Sequence, residues 1–293
     1  MQARSEGMSH MDKAAIATTL QQSGLQQLSP ALDKLILSSI RLITNPSFER
    51  AIQPGQSKLG GMPDLPAGTG WPALKGAPME FVAQIQLADA HAFDTAGLLP
   101  AQGLLSFFYD SSQQTFGADP NDRAGFKVDY FEQPATALQR VDLPSSLPAE
   151  GRARVCSISM RDEVTLPLQP NLEIASLPWS DTDQQRYDDA LQQLTGDEKH
   201  PIHRLLGHPD TIQDDMRLEC QLAANGVADP NAAPARVAQL SPGANDWILL
   251  LQVDSDQSIG MQWANAGMLY FWIRRDDLAQ RRFENAWVVL QSE

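Results

Sequence analysis

Three short segments of this 293-residue chain recur in the same order. Leu59-Gly60-Gly61-Met62-Pro63-Asp64 resembles Leu206-Gly207-His208-Pro209-Asp210. Phe81-Val82-Ala83-Gln84-Ile85-Gln86 resembles Leu249-Leu250-Leu251-Gln252-Val253-Asp254, and Gly103-Leu104-Leu105-Ser106-Phe107-Phe108 resembles Gly267-Met268-Leu269-Tyr270-Phe271-Trp272. The second and third pairs lie 168 and 164 residues apart, and the first, matched Gly60 to Gly207, 147. One pair of apolar runs carries little information, but three in order point to an internal repeat. A repeated unit predicts a single pseudo-symmetric core, with the cleft between its halves as the natural place for a ligand.

The elements follow from local grammar. β-rich runs at 81–87, 104–109, 126–131 and 154–160, and again at 247–253, 268–273 and 286–290, are bounded by Pro, Gly, Asp and Asn. Apolar residues at Ile16 and Leu20, then Leu28, Leu32, Leu35, Ile36, Ile40 and Ile43, fall at helical spacing, and Ser29-Pro30 interrupts them as a helix start. That predicts two helices, 12–22 and 30–43, closed by Asn45-Pro46. Eleven glycines and prolines between 53 and 78 predict a long loop, and the Pro-marked stretch 132–150 another. Further helices are expected from Ser180 or Asp181 to Thr195-Gly196 and from about 214 to 224. Strands grouped apart from helices give an α+β class: a mostly antiparallel sheet of two sequence-similar halves with N-terminal helices packed on it. Residues 1–50 read as a helical segment and 51–293 as one domain, its halves at about 57–160 and 200–293. Methionines at 1, 8 and 11 leave the start open, and the first ten residues are expected to be a disordered extension.

Composition narrows the partners. With 22 Lys and Arg against 36 Asp and Glu, the net charge is −14 and the pI about 4.7. That argues against nucleic acid or an anionic membrane and permits a basic protein. Two cysteines, Cys156 and Cys220, exclude a disulfide scaffold and a four-cysteine zinc site. No apolar run approaches the roughly 18 residues that span a bilayer, and Arg4, Glu6, Asp12 and Lys13 interrupt any leader-like stretch, so the expected location is the cytoplasm.

Ser57 to Pro66 (SKLGGMPDLP), followed by Trp71-Pro72, resembles the bacterial YwqG-like family, a domain of unknown function. Phe81 to Ile85, His203 to Asp210, Trp247 to Asp256 and Met261 to Ile273 extend the resemblance from about residue 50 to the end. Ala264-Asn265 departs from the family's usual Gly-Asp, so an acidic role at position 265 does not carry over. The resemblance implies a cytoplasmic α+β protein with a duplicated sheet, no assigned activity, and relatives in or near toxin–immunity loci.

Candidate chemistry is sparse. His200, His203 and His208 stand near Asp210, Asp214 and Cys220, but their spacing matches no standard zinc arrangement. Cys220 lies in an apolar helical pattern that suits a buried thiol better than a nucleophile. Asp254 to Gly260 begins like a calcium loop, yet its glycine falls one place late and Asn265 stands where a bidentate Glu is needed. The glycine-rich segment 60–70 lacks a Gly-Lys-Ser/Thr ending, so it is no phosphate loop. No catalytic residue, metal or cofactor is assigned. The candidate binding residues are Trp71, Gln84, His203, Asp210, Gln252, Asp254, Asp256 and Trp263. The expected function is non-catalytic protein binding, in its sharpest form immunity-like neutralisation of a basic toxin. The alternative is a small-molecule binder or hydrolase that uses the cleft with Asp254, Asp256 and His203.

Overall fold

The computed structural model describes residues 12–169, 171–195 and 201–293; the N-terminal extension, Gly196 and His200 lie outside the described residues. Ten strands form the main sheet: β1 (Leu37–Pro46), β2 (Lys58–Leu59), β3 (Glu80–Gln86), β4 (Leu104–Tyr109), β5 (Phe126–Phe131), β6 (Cys156–Thr165), β7 (His203–Leu205), β8 (Trp247–Asp254), β9 (Met268–Arg274) and β10 (Trp287–Gln291). Their order is β10-β9-β8-β7-β1-β6-β2-β3-β4-β5, and every neighbouring pair is antiparallel.

The long pair β1–β6 is therefore the centre of the sheet, with β2-β3-β4-β5 on one flank and β7-β8-β9-β10 on the other. The two outer edges approach each other through side chains. Phe126 of β5 meets Trp287 of β10 edge-on at 5.5 Å, and Phe107 of β4 meets Phe271 of β9 at 5.0 Å. Leu290 N–H donates to Phe116 O at 3.1 Å and Trp287 Nε1–H to Gly117 O at 2.7 Å. The sheet is thus curled almost into a barrel, which shelters its edges. Leu105, Phe107, Leu251, Leu269, Phe271 and Val288 fill the inside without exposure. Each such side chain contributes about 1.5–3 kcal/mol.

Corresponding strands carry the same irregularity. The β3–β4 ladder shifts register between Phe81 and Ala83, and the β8–β9 ladder between Leu249 and Leu251, 168 residues on. The turn after β2 passes through Gly60 and Gly61 at φ +61° and +71°, and the turn after β7 through Leu206 and Gly207 at +60° and +76°. These angles match Gly61 to Gly207 and Gly60 to Leu206, an offset of 146, one residue from the match of Gly60 to Gly207 made on sequence.

The helix expected over 30–43 is corrected. A single turn at Ser29–Leu32 and a 3-10 turn at Asp33–Leu35 lead into β1, so residues 1–50 are not a wholly helical segment. Ile40 is paired with Asp162 on one side and Leu205 on the other. Two ladders use the backbone groups that a helix would have bonded internally, and β-branched isoleucines suit that surface. The loops hold structure as well: Asp64–Pro66 pairs with Leu138–Arg140, and Ala73–Leu74 with Ala77–Pro78.

Helix α1 (Lys13–Gln22) starts at Asp12, whose carboxylate accepts from Ala15 N–H at 2.7 Å. Its Ile16 and Leu20 join Tyr187 and Leu191 of α2 (Asp181–Thr195), with Leu25, Leu32 and Leu166, in a second apolar cluster. Val164 near the end of β6 touches the same cluster. A third helix, α3 (Arg217–Ala224), buries Cys220 and Ala223 in the main core. Among the described residues no helix is long and apolar enough to cross a membrane.

Candidate functional site

Gln84 and Gln252 are fully buried and make the same set of bonds. Gln84 Oε1 accepts from Asp64 N–H at 2.9 Å, while its Nε2 donates to Asp64 Oδ2 at 2.7 Å and to Gln56 O at 2.7 Å. Gln252 Oε1 accepts from Asp210 N–H at 2.8 Å, and its Nε2 donates to Asp210 Oδ2 at 2.7 Å and to Ile202 O at 3.0 Å. A glutamine suits this position because one planar amide supplies both an acceptor and two donors. Each clamp ties a glycine-bearing turn to the strand beside it. Asp210 carries two further contacts: its carboxylate meets Arg204 at 2.8 Å, and its carbonyl accepts from Tyr270 Oη at 2.6 Å. Gln84 and Gln252 thus spend their polar groups inside the protein, and the partly exposed Asp210 is tied into the same network.

Trp263 is also fully buried, edge-on to Tyr109 at 5.9 Å. Trp71 is half-buried on the other flank, with Nε1–H donating to Met79 O at 2.8 Å. Neither shares a surface with the acidic pair Asp254 and Asp256. That pair lines a cleft of about 540 Å3 at the end of β8, together with Pro201, Ile212, Gln262, Met268 and Glu293. Pro201, Gln262 and Glu293 come from separate stretches of chain, so no local pattern could have marked them, and all the lining residues fall within 201–293, so this is not the cleft expected between residues 57–160 and 200–293.

The cleft is held from behind. Ile202 N–H donates to Asp254 Oδ2 at 2.9 Å, and Asp254 N–H donates to His203 Nδ1 at 3.1 Å. A neutral His203 therefore carries its proton on Nε2. That nitrogen is buried without a hydrogen-bond partner, and Asp256 Oδ2 lies 3.9 Å away, too far for one. Asp256 Oδ1 accepts from Ser258 N–H at 2.9 Å and from its hydroxyl at 2.6 Å. Burial works to raise the Asp256 pKa, but the nearby His203 and the Ser258 donors outweigh it and hold the carboxyl below its usual range. The structure therefore brings His203, Asp254 and Asp256 together, with the two carboxylates on the cleft wall and the imidazole beneath it.

Other candidates are placed away from this cleft. His208 Nε2 bonds Leu35 O at 2.7 Å, and burial pushes its pKa down to about 4. Burial pushes the Cys156 thiol up to about 12 and the Cys220 thiol up as well. Among the described residues no three His, Cys, Asp or Glu side chains are grouped to hold a metal ion. Residues 57–292 match the family model described as a domain of unknown function, DUF1963. No curated protein matches the chain.

Proposed function

This chain belongs to the DUF1963 family, and from the chemistry of its cleft we propose that it is a non-catalytic binding protein whose partner is a basic protein. The observation that carries this reading is the cleft lining: Asp254, Asp256 and Glu293 stand on it with amides and hydroxyls, and among the described residues no Lys, Arg or His does. Such a surface takes an ammonium or guanidinium group, and Ile212 and Met268 offer apolar contact to its methylene stem. The net charge of −14 adds long-range steering toward a positive partner. Immunity-like neutralisation of a basic toxin is the sharpest form of the proposal, and the YwqG-like resemblance favours it. The shared register shift and the two glutamine clamps support reading the flanks as one duplicated unit, with halves near 57–160 and 200–293.

Calorimetric titration with a lysine-rich peptide and its lysine-acetylated form, at low and moderate salt, tests the reading. Saturable binding to the charged peptide is expected, weakened by salt and by the double variant Asp254→Asn/Asp256→Asn. Binding that ignores acetylation, or no binding at low salt, removes it. A small-molecule or hydrolase reading draws on the closeness of His203 to Asp256. It is second because the imidazole is fully buried and meets no solvent-borne substrate. A small molecule retained in native mass spectrometry, with no peptide binding, would put it first.

A further inference from the structure

The outer surfaces of the two flanks are finished differently at matching positions. Successive strand residues face opposite sides, so Phe108 points away from the core residue Phe107, and Trp272 away from Phe271. Phe108 pairs with Phe81 just before the β3–β4 register shift, and Trp272 pairs with Leu249 just before the β8–β9 shift. Over Phe108 the protein is closed: Trp71 stacks edge-on at 5.8 Å, and Phe81, Leu65 and Met79 complete a small apolar cluster. Beside Trp272 there is instead a cavity of about 50 Å3, walled by Trp247, Leu249 and Met216 and edged by Arg217 and Arg275.

Two donors on this cavity are unspent. Trp272 is 3% exposed and its Nε1–H has no hydrogen-bond partner. Trp71, Trp247 and Trp287 each donate to an acceptor at 2.7–2.8 Å, whereas Trp263 Nε1, in the core and away from this cavity, is like that of Trp272 without a partner. Arg275 makes no ion pair among the described residues, whereas Arg217 is held by Glu173 and by Asp215 at 2.6 Å. His208, which also lines the cavity, is neutral near pH 7 because burial lowers its pKa to about 4. An unpartnered buried N–H and a guanidinium outside any ion pair, on residues that line one cavity, call for an acceptor with negative charge. The size sets which one. A water needs about 10–15 Å3 of such space, so the cavity takes about three to five water-sized atoms. That is the size of a carboxylate head, and the mouth leaves the rest of the molecule outside. Glu173 and Asp215 on the same wall oppose a doubly charged ion such as phosphate.

We propose that this cavity binds the carboxylate group of a small organic acid or of a peptide C-terminus, with Trp272 Nε1–H and Arg275 as its donors. Ligand-observed NMR titration tests it with acetate, acetamide, and a short peptide in its free-acid and amidated forms. The variants are Trp272→Phe, which places on this flank the side chain that Phe108 provides on the other, and the exposed Arg275→Gln. Saturable binding is expected for a carboxylate and not for its amide, weakened about tenfold by either substitution. Acetate binding points to a free acid, and binding by the peptide acid alone points to a chain end. If no carboxylate binds saturably, or if binding survives both substitutions, the cavity holds only water and the proposal is overturned.

Discussion

The two flanks of the sheet use one clamp in two electrostatic settings. On the first flank Lys58 is fully buried, donates to Met62 O, and stands 3.5 Å from both Asp64 and Glu49, with Arg140 on the same two acids. On the second flank Arg204 meets Asp210 at 2.8 Å and Glu163 at 3.7 Å, and Arg41 completes the set at 3.0 Å from Glu163. The Asp64 side chain is fully buried; that of Asp210 is 23% exposed. On the first flank the acids are held by charge pairing, and Trp71 covers Phe108. The second is left open at the Trp272 cavity and at the acidic cleft. The same backbone therefore carries a covered aromatic on one side and a cavity beside the matching aromatic on the other.

Removing one acid from each clamp probes this contrast most strongly. Asp64→Ala should cost about 3–5 kcal/mol, because it leaves the buried Lys58 without its nearest fully buried counter-charge. Asp210→Ala should cost about 1–2 kcal/mol, since water reaches the site and Glu163 stays beside Arg204. Urea unfolding of both variants measures the difference, and equal losses would break the comparison. Trp71→Ala should open the sealed flank at a cost of about 2–3 kcal/mol, seen in the same assay and as a new near-ultraviolet dichroism difference.

Gly207→Ala should cost about 1–3 kcal/mol, because φ is +76° and an added Cβ would sit 2.7 Å from Ser39 Cβ and Thr165 Oγ1. Gly226→Ala, at φ +82° in open space, is the control and should lose less. The smallest expected effect is pH-dependent. Glu80, buried with Asp110 nearby, has its pKa pushed well above 4.5, first by burial and then by that like charge. The folded protein then holds a proton that the unfolded chain has released, so stability falls as pH rises from about 4.5 toward the raised value. Position 248, 168 residues on, is isoleucine. Glu80→Gln should flatten that fall in unfolding free energy between acid and neutral pH, and an unchanged slope would detach Glu80 from it.

Much of this fold was legible because period-two strands and Gly/Pro turns are local signals. All seven strand runs expected from sequence fall on strands, and α2 begins at Asp181, within the start its pattern implied. The strand β1 was not legible: Ile36, Ile40 and Ile43 fit a helical stripe equally well, and only the neighbours β6 and β7 decide between them. Strand β7, three residues long, is too short to show a period at all. At the site, Asp254 and Asp256 could be singled out because they sit together in sequence. Glu293, Gln262 and Pro201 could not, since they reach the cleft only when distant segments fold together.

By itself, then, the sequence determined the antiparallel α+β class, the recurring segments, and the acidic net charge, all of which rest on local pattern or on charge, a sum that folding does not change. Only the tertiary structure decided that Gln84 and Gln252 are spent inside the protein and that Trp263 is buried, while Asp254 and Asp256 line a cleft. It alone decided that the indole of Trp272 borders a cavity where Phe108 is covered. Burial and hydrogen-bond satisfaction depend on which remote residues arrive beside a side chain, and no spacing along the chain encodes that.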